Sequence, residues 1–116
     1  MRKFSWIVMT NADPSHEKEF NAWYDDVHLG DLLRIPGVTA AKRSTLCPVQ
    51  MTLVGEELQI ADAETIGARY KYLAVYDLET DDPTALLEEI RKRSRTLDMP
   101  ISEHMTEAYT ILYETL

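Results

Sequence analysis

Cysteine is nearly absent. Cys47 is the only one, so the chain forms no internal disulfide framework and no multi-cysteine metal site. Basic residues are a minority, 12 Lys and Arg against 20 Asp and Glu, for a net charge of −8. Polyanions are bound by clustered positive charge, so neither nucleic acid nor an anionic membrane surface is expected as a partner. No apolar run approaches the ~18 residues that a membrane span needs. Arg2 and Lys3 near the start are not followed by a long apolar segment, and polar Asn11 and Asp13 come soon after. No signal peptide is therefore expected, and the expected location is cytoplasmic. The four glycines form no phosphate-cradling loop. His16, His28 and His104 are scattered and none has metal-binding spacing, so neither a metal nor a cofactor is expected.

What is present is enough for one folded domain. A chain of 116 residues has room for one domain and one core. Its 45% hydrophobic content argues against disorder despite the charge. Residues 4–9 are rich in strand formers and are ended by Asn11-Ala12-Asp13-Pro14. Asp13-Pro14 is a helix start: the carboxylate caps free amides, and proline tolerates the first helical position. Phe20, Trp23, Tyr24, Val27 and His28 recur at three- and four-residue spacing, which predicts one amphipathic helix over about 14–34, with a possible break near Gly30. Trp23 is expected to pack that helix on the sheet.

A second strand is predicted at 38–47, and residues 49–68 read as a long loop with a short strand at 51–54. The clearest strand is 70–78, with Tyr70, Tyr72 and Tyr76 on one face and Leu73 and Val75 on the other. Asp82-Pro83 repeats the helix start, Leu86, Leu87 and Ile90 form a helical stripe, and a last strand is expected at 108–113. The order is strand-helix-strand twice. It predicts an α+β ferredoxin-like βαββαβ sandwich, a four-stranded antiparallel sheet with two helices on one face. Apolar residues on both faces of the 70–78 strand then call for a second cover. A homodimer through the sheet faces supplies it.

The densest polar and aromatic cluster is Trp23-Tyr24-Asp25-Asp26-Val27-His28. Tyr24 and His28 share a helix face, and Asp25 lies one turn before His28. A carboxylate favours protonated imidazole and burial opposes it, so His28 is either an acid/base group or a structural histidine at a helix end. Arg43 alternates with Ala41 and Thr45 on one strand face. It holds either an anionic oxygen or a surface carboxylate. Tyr72 belongs to a tyrosine stripe suited to core or dimer contact, with a hydroxyl available to a ligand. The basic run Arg91-Lys92-Arg93-Ser94-Arg95 lies at a helix end, where it complements the dipole.

Phe20-Asn21-x-Trp23-Tyr24-Asp25-x-x-His28-Leu29-x-Asp31-Leu32-Leu33, followed by Ile35-Pro36-Gly37-Val38-x-Ala40-Ala41-x-Arg43, resembles the first helix and second strand of dimeric α/β-barrel proteins. EthD-like proteins and their bacterial relatives are the most similar group. The resemblance implies that fold, and it matches His28, Tyr24 and Arg43 to pocket residues. It leaves the reaction open, because one fold hosts many chemistries. The leading expectation is a cofactor-independent enzyme that moves a proton on a small aromatic, lactone or polyketide-like compound. That covers isomerisation, cyclisation, dehydration and decarboxylation. His28 and Tyr24 are the candidate catalytic residues; Arg43, Tyr72 and Asp25 are the candidate substrate-binding residues. A non-catalytic dimeric ligand-binding or accessory module and a cofactor-free monooxygenase are the alternatives.

Overall fold

The computed structural model describes residues 1–116. Strand β1 (Lys3–Ala12) leads into a 3-10 turn (Pro14–His16), then helix α1 (Glu17–Trp23), a π turn (Tyr24–His28) and helix α2 (Leu29–Leu33). Strands β2 (Val38–Thr45), β3 (Val49–Val54), β4 (Glu57–Asp62) and β5 (Tyr72–Glu79) follow. Helix α3 (Pro83–Arg93) and strand β6 (Met105–Glu114) complete the chain. Four strands form an antiparallel sheet in the order β2-β5-β1-β6, and β3 and β4 pair only with each other. The architecture is α+β.

Both Asp-Pro starts act as the sequence predicts. Asp13 accepts from the Ser15 amide at 3.0 Å, and Asp82 accepts from the Ala85 amide at 3.0 Å. From Glu17 to Leu33 the helix is continuous, with Gly30 inside it. Its irregularity is the π turn, where the backbone bonding widens by one residue. Gly37 then turns the chain into β2 at φ +102°; a side chain there would meet Leu86 and the Glu79 carbonyl. The basic end of α3 is paired within its own helix, Arg91 with Glu88 and Arg93 with Glu89.

Register divides the sheet into two unlike faces. Phe4, Trp6, Val8 and Thr10 stand opposite Leu78, Tyr76, Ala74 and Tyr72. This face carries the helices: Phe20 of α1 meets Tyr72, Tyr24 meets Tyr76, and Leu86 and Ile90 of α3 join the same core. The other face shows Ile7, Met9, Leu73, Val75 and Ile111, all half-buried, with exposed Tyr109 and Tyr113. No element of the chain packs over it.

Residues 49–68 hold the expected strand at 51–54, as part of β3, but not the long loop around it: β3 pairs with a second strand, β4. Val49, Met51 and Leu53 stand across from Asp62, Ile60 and Leu58, with a two-residue turn at Gly55-Glu56 (Gly55 φ +64°). The alternation needed for a hairpin is present, but it is short, and acidic residues crowd its turn and its end. The hairpin projects from the sheet as an arm. The radius of gyration is 16.0 Å, whereas a globular chain of this length has about 13 Å.

Candidate functional site

His28 sits at the inner end of the π turn, 8% exposed, between the helices and the sheet. Its neighbours are rings. The imidazole stacks on Trp23 at 4.5 Å and meets the edge of Tyr24 at 5.1 Å. Nδ1 is fully buried with no hydrogen-bond partner. Burial lowers its pKa to about 4, against a smaller opposing pull from Asp31 and together with repulsion from Arg43. His28 is therefore a neutral imidazole at pH 7, with one nitrogen free to accept a proton.

His28 lines a cavity of about 330 Å³ together with Trp6, Leu32, Leu87, Ile90 and Met99. The cavity lies between α2, α3 and the inner face of the sheet, and its walls are mainly apolar. Arg91, Ser94, Arg95 and Thr110 supply its polar atoms. The α3 end places Arg95 there through a left-handed residue, φ +67°, followed by a tight turn in which the Arg95 amide donates to the Met99 carbonyl at 2.9 Å. Arg91 is paired with Glu88, whereas the exposed Arg95 has no carboxylate partner. Sequence reasoning assigned the basic run to the helix dipole and missed this placement. The signal available was the position of Arg95 just past the last helical turn, before Pro100.

The remaining sequence-predicted residues gather elsewhere. Arg43 donates to Asp25 at 2.9 Å and to Asn21 at 2.9 Å, and its guanidinium lies 4.2 Å above the Tyr24 ring and 5.3 Å from the Tyr72 ring. Arg43, Asp25 and Tyr72 line an open groove with Asn21, Ser44 and Thr45. The Tyr72 hydroxyl donates to Glu17 at 3.1 Å and accepts from Asn21 at 3.2 Å. Tyr24 lies between the two hollows, with Arg43 on its ring face and His28 at its edge. Burial raises the Tyr24 hydroxyl pKa, so the hydroxyl is neutral, and it accepts from the Tyr76 hydroxyl. The structure thus unites Tyr24 with His28, and Arg43 with Asp25 and Tyr72, and sets the two groups on different surfaces. Trp23 packs against the core half-buried, and its indole N–H donates to the Pro100 carbonyl at 3.0 Å, which pins the helix to the connection after α3.

Two of the scattered histidines meet. His16 and His104 stack at 4.3 Å with planes 4° apart, and His16 Nδ1 lies 2.9 Å from Asp13. Asp13, His16 and His104 place their ligand atoms within 4.8 Å of one another. Parallel stacked rings direct their lone pairs along parallel lines, so the two imidazoles do not converge on one ion. The hydrogen bond to Asp13 instead raises the His16 pKa.

The buried imidazole gives a measurable pH dependence. Below about pH 6.5 the unfolded ring takes up a proton, and the folded ring refuses it until about pH 4. The contribution is complete above pH 6.5 and is lost as the pH falls towards 4, about 3 kcal/mol in all. Urea unfolding at stepped pH should show wild-type stability falling across this window relative to His28→Gln. Parallel curves would place His28 in solvent.

No protein-family model matches the chain, and no curated protein matches it. No helix is long and apolar enough to cross a membrane.

Proposed function

We propose that this chain is a cofactor-independent enzyme that moves a proton on a small compound with an apolar, aromatic, lactone or polyketide-like body. The observation that carries this reading is an unpartnered, neutral imidazole at the wall of an apolar cavity. Nδ1 itself is shut off from the cavity, so a ligand recovers the cost of its missing partner only when the ring turns to present it. His28 accepts the proton. Negative charge developing on the substrate oxygen raises the imidazole's affinity for the proton as it moves, so the low resting pKa does not persist through the reaction. Tyr24 holds the ring through its edge. Arg95, at the rim, is the group placed to receive an anionic oxygen, and Arg43 acts from behind Tyr24 as fixed positive charge.

The same reading takes the fold to be a ferredoxin-like sandwich with a hairpin inserted between its second and third strands. The sheet order β2-β5-β1-β6 with all neighbours antiparallel supports it. Two copies would pair through the open sheet faces as in dimeric α/β barrels, including EthD-like proteins. A non-catalytic ligand-binding module is the second reading, supported by the separation of Arg43 from His28.

Adding candidate phenols and lactones while following the three histidines by NMR tests the site. The expected result is a shift of the His28 ring signals with His16 and His104 unmoved. Ligands that bind and move only His16 or His104 would relocate the site.

A further inference from the structure

The β3–β4 arm has two unlike faces. Val49, Met51, Leu53, Leu58 and Ile60 share one side with Asp62 at its base, and the apolar exposures run from 58% for Met51 to 75% for Ile60. Gln50, Thr52, Glu57 and Gln59 share the other, with Ala61 and, beside the turn, Val54. A two-stranded hairpin standing alone is marginal in water and is stabilised by packing an apolar face against something. Within this chain nothing covers that face. We propose that the arm clasps a second copy of this chain, its apolar face seated on the partner. This rests on the sheet-to-sheet dimer proposed above and adds to it a second contact surface on a different element.

Area argues for the second copy. Four strands of about eight residues project roughly 500 Å² per copy at the usual strand spacing and rise. A standard interface buries about 800 Å² per partner. The arm's apolar face adds roughly 200 Å², which brings the pair close to that size.

Symmetry argues the same way. The arm leaves from β2, at one edge of the sheet, and β6 forms the other edge. A two-fold axis between the sheets and along the strands lays the β2 edge of each copy over the β6 edge of the other. The arm then lies at the Ala108 end of the other copy's β6, which carries the exposed Tyr109. An axis across the strands superposes the two β2 edges with their directions reversed, and each arm then lies beside the Val38 end of the other copy's β2. In both arrangements the apolar surface within reach belongs to the second copy.

The test is sedimentation of the full chain at micromolar concentration. Wild type should run at twice 13.3 kDa. Leu58→Glu/Ile60→Glu should weaken dimerisation at least ~100-fold, because two carboxylates would be desolvated without partners. Its circular dichroism should match wild type, since both side chains are exposed in the single chain. Thr52→Lys/Gln59→Lys, on the polar side of the arm, should leave the dimer unchanged. Val75→Glu tests the sheet contact separately. A dimer abolished by Val75→Glu but indifferent to Leu58→Glu/Ile60→Glu overturns the arm and leaves the sheet pairing in place. The converse pattern keeps the arm and removes the sheet pairing. A monomeric wild type overturns both.

Discussion

Replacing His28 with glutamine should slow turnover by ~10²–10⁴-fold, the usual share of general acid–base catalysis. Glutamine keeps the polar character and much of the volume of imidazole but cannot accept a proton near neutral pH. The loss should fall on kcat and kcat/KM together, because the interaction removed is one made in the transition state. Tyr24→Phe should cost much less, since the ring that holds His28 by its edge remains and one hydroxyl is deleted. The rate should be measured with whichever compound shifts the His28 resonances. A variant that binds this compound and turns it over at the wild-type rate would make His28 structural and favour the ligand-binding module.

Phe20→Ala should lower stability by ~3–5 kcal/mol, as large-to-small changes of buried aromatics do. Phe20 is fully buried and holds three rings together: Trp23 at 5.7 Å, Tyr24 at 5.6 Å and Tyr72 at 5.6 Å. The space left by its removal lies under α1, where Tyr72 and Tyr24 are fixed by β5 and by the π turn and cannot close it. Arg43 would also lose one of the rings beneath its guanidinium. Urea unfolding at fixed protein concentration reads the effect, since association also contributes to apparent stability. A loss under about 1 kcal/mol, the range of surface sites, would contradict the packing described.

The strands and helix starts were legible because their signals are local. Phe4 to Thr10 and Tyr72 to Leu78 alternate at the strand period, and Asp13 and Asp82 each hold a backbone amide two or three residues on. The hairpin was obscured because its alternation is only six residues long on each side and Glu56, Glu57, Asp62 and Glu64 crowd its turn and its end. The pairing of His28 with Tyr24 was legible from four-residue spacing. The distance of both Arg43 and Asp25 from the His28 cavity was not, since it depends on which side of Tyr24 each side chain passes. The His16–His104 stack joins chain segments brought together only by the completed sheet, and no short-range pattern marks it.

The π turn also bears on how this helix tolerates changes in length. A π turn accommodates one residue more than an α-helix within the same span, so the segments before and after it keep their angular phase. Phe20 on one side and Leu32 on the other both reach the core across it. Loss of one residue from the exposed Asp25-Asp26-Val27 stretch would restore ordinary helical bonding and leave both anchors facing inward. The imidazole would be reset relative to Trp23 while the scaffold stayed in place. The segment carrying His28 is thus the part of the helix where a change of length by one residue reshapes the cavity without disturbing the fold.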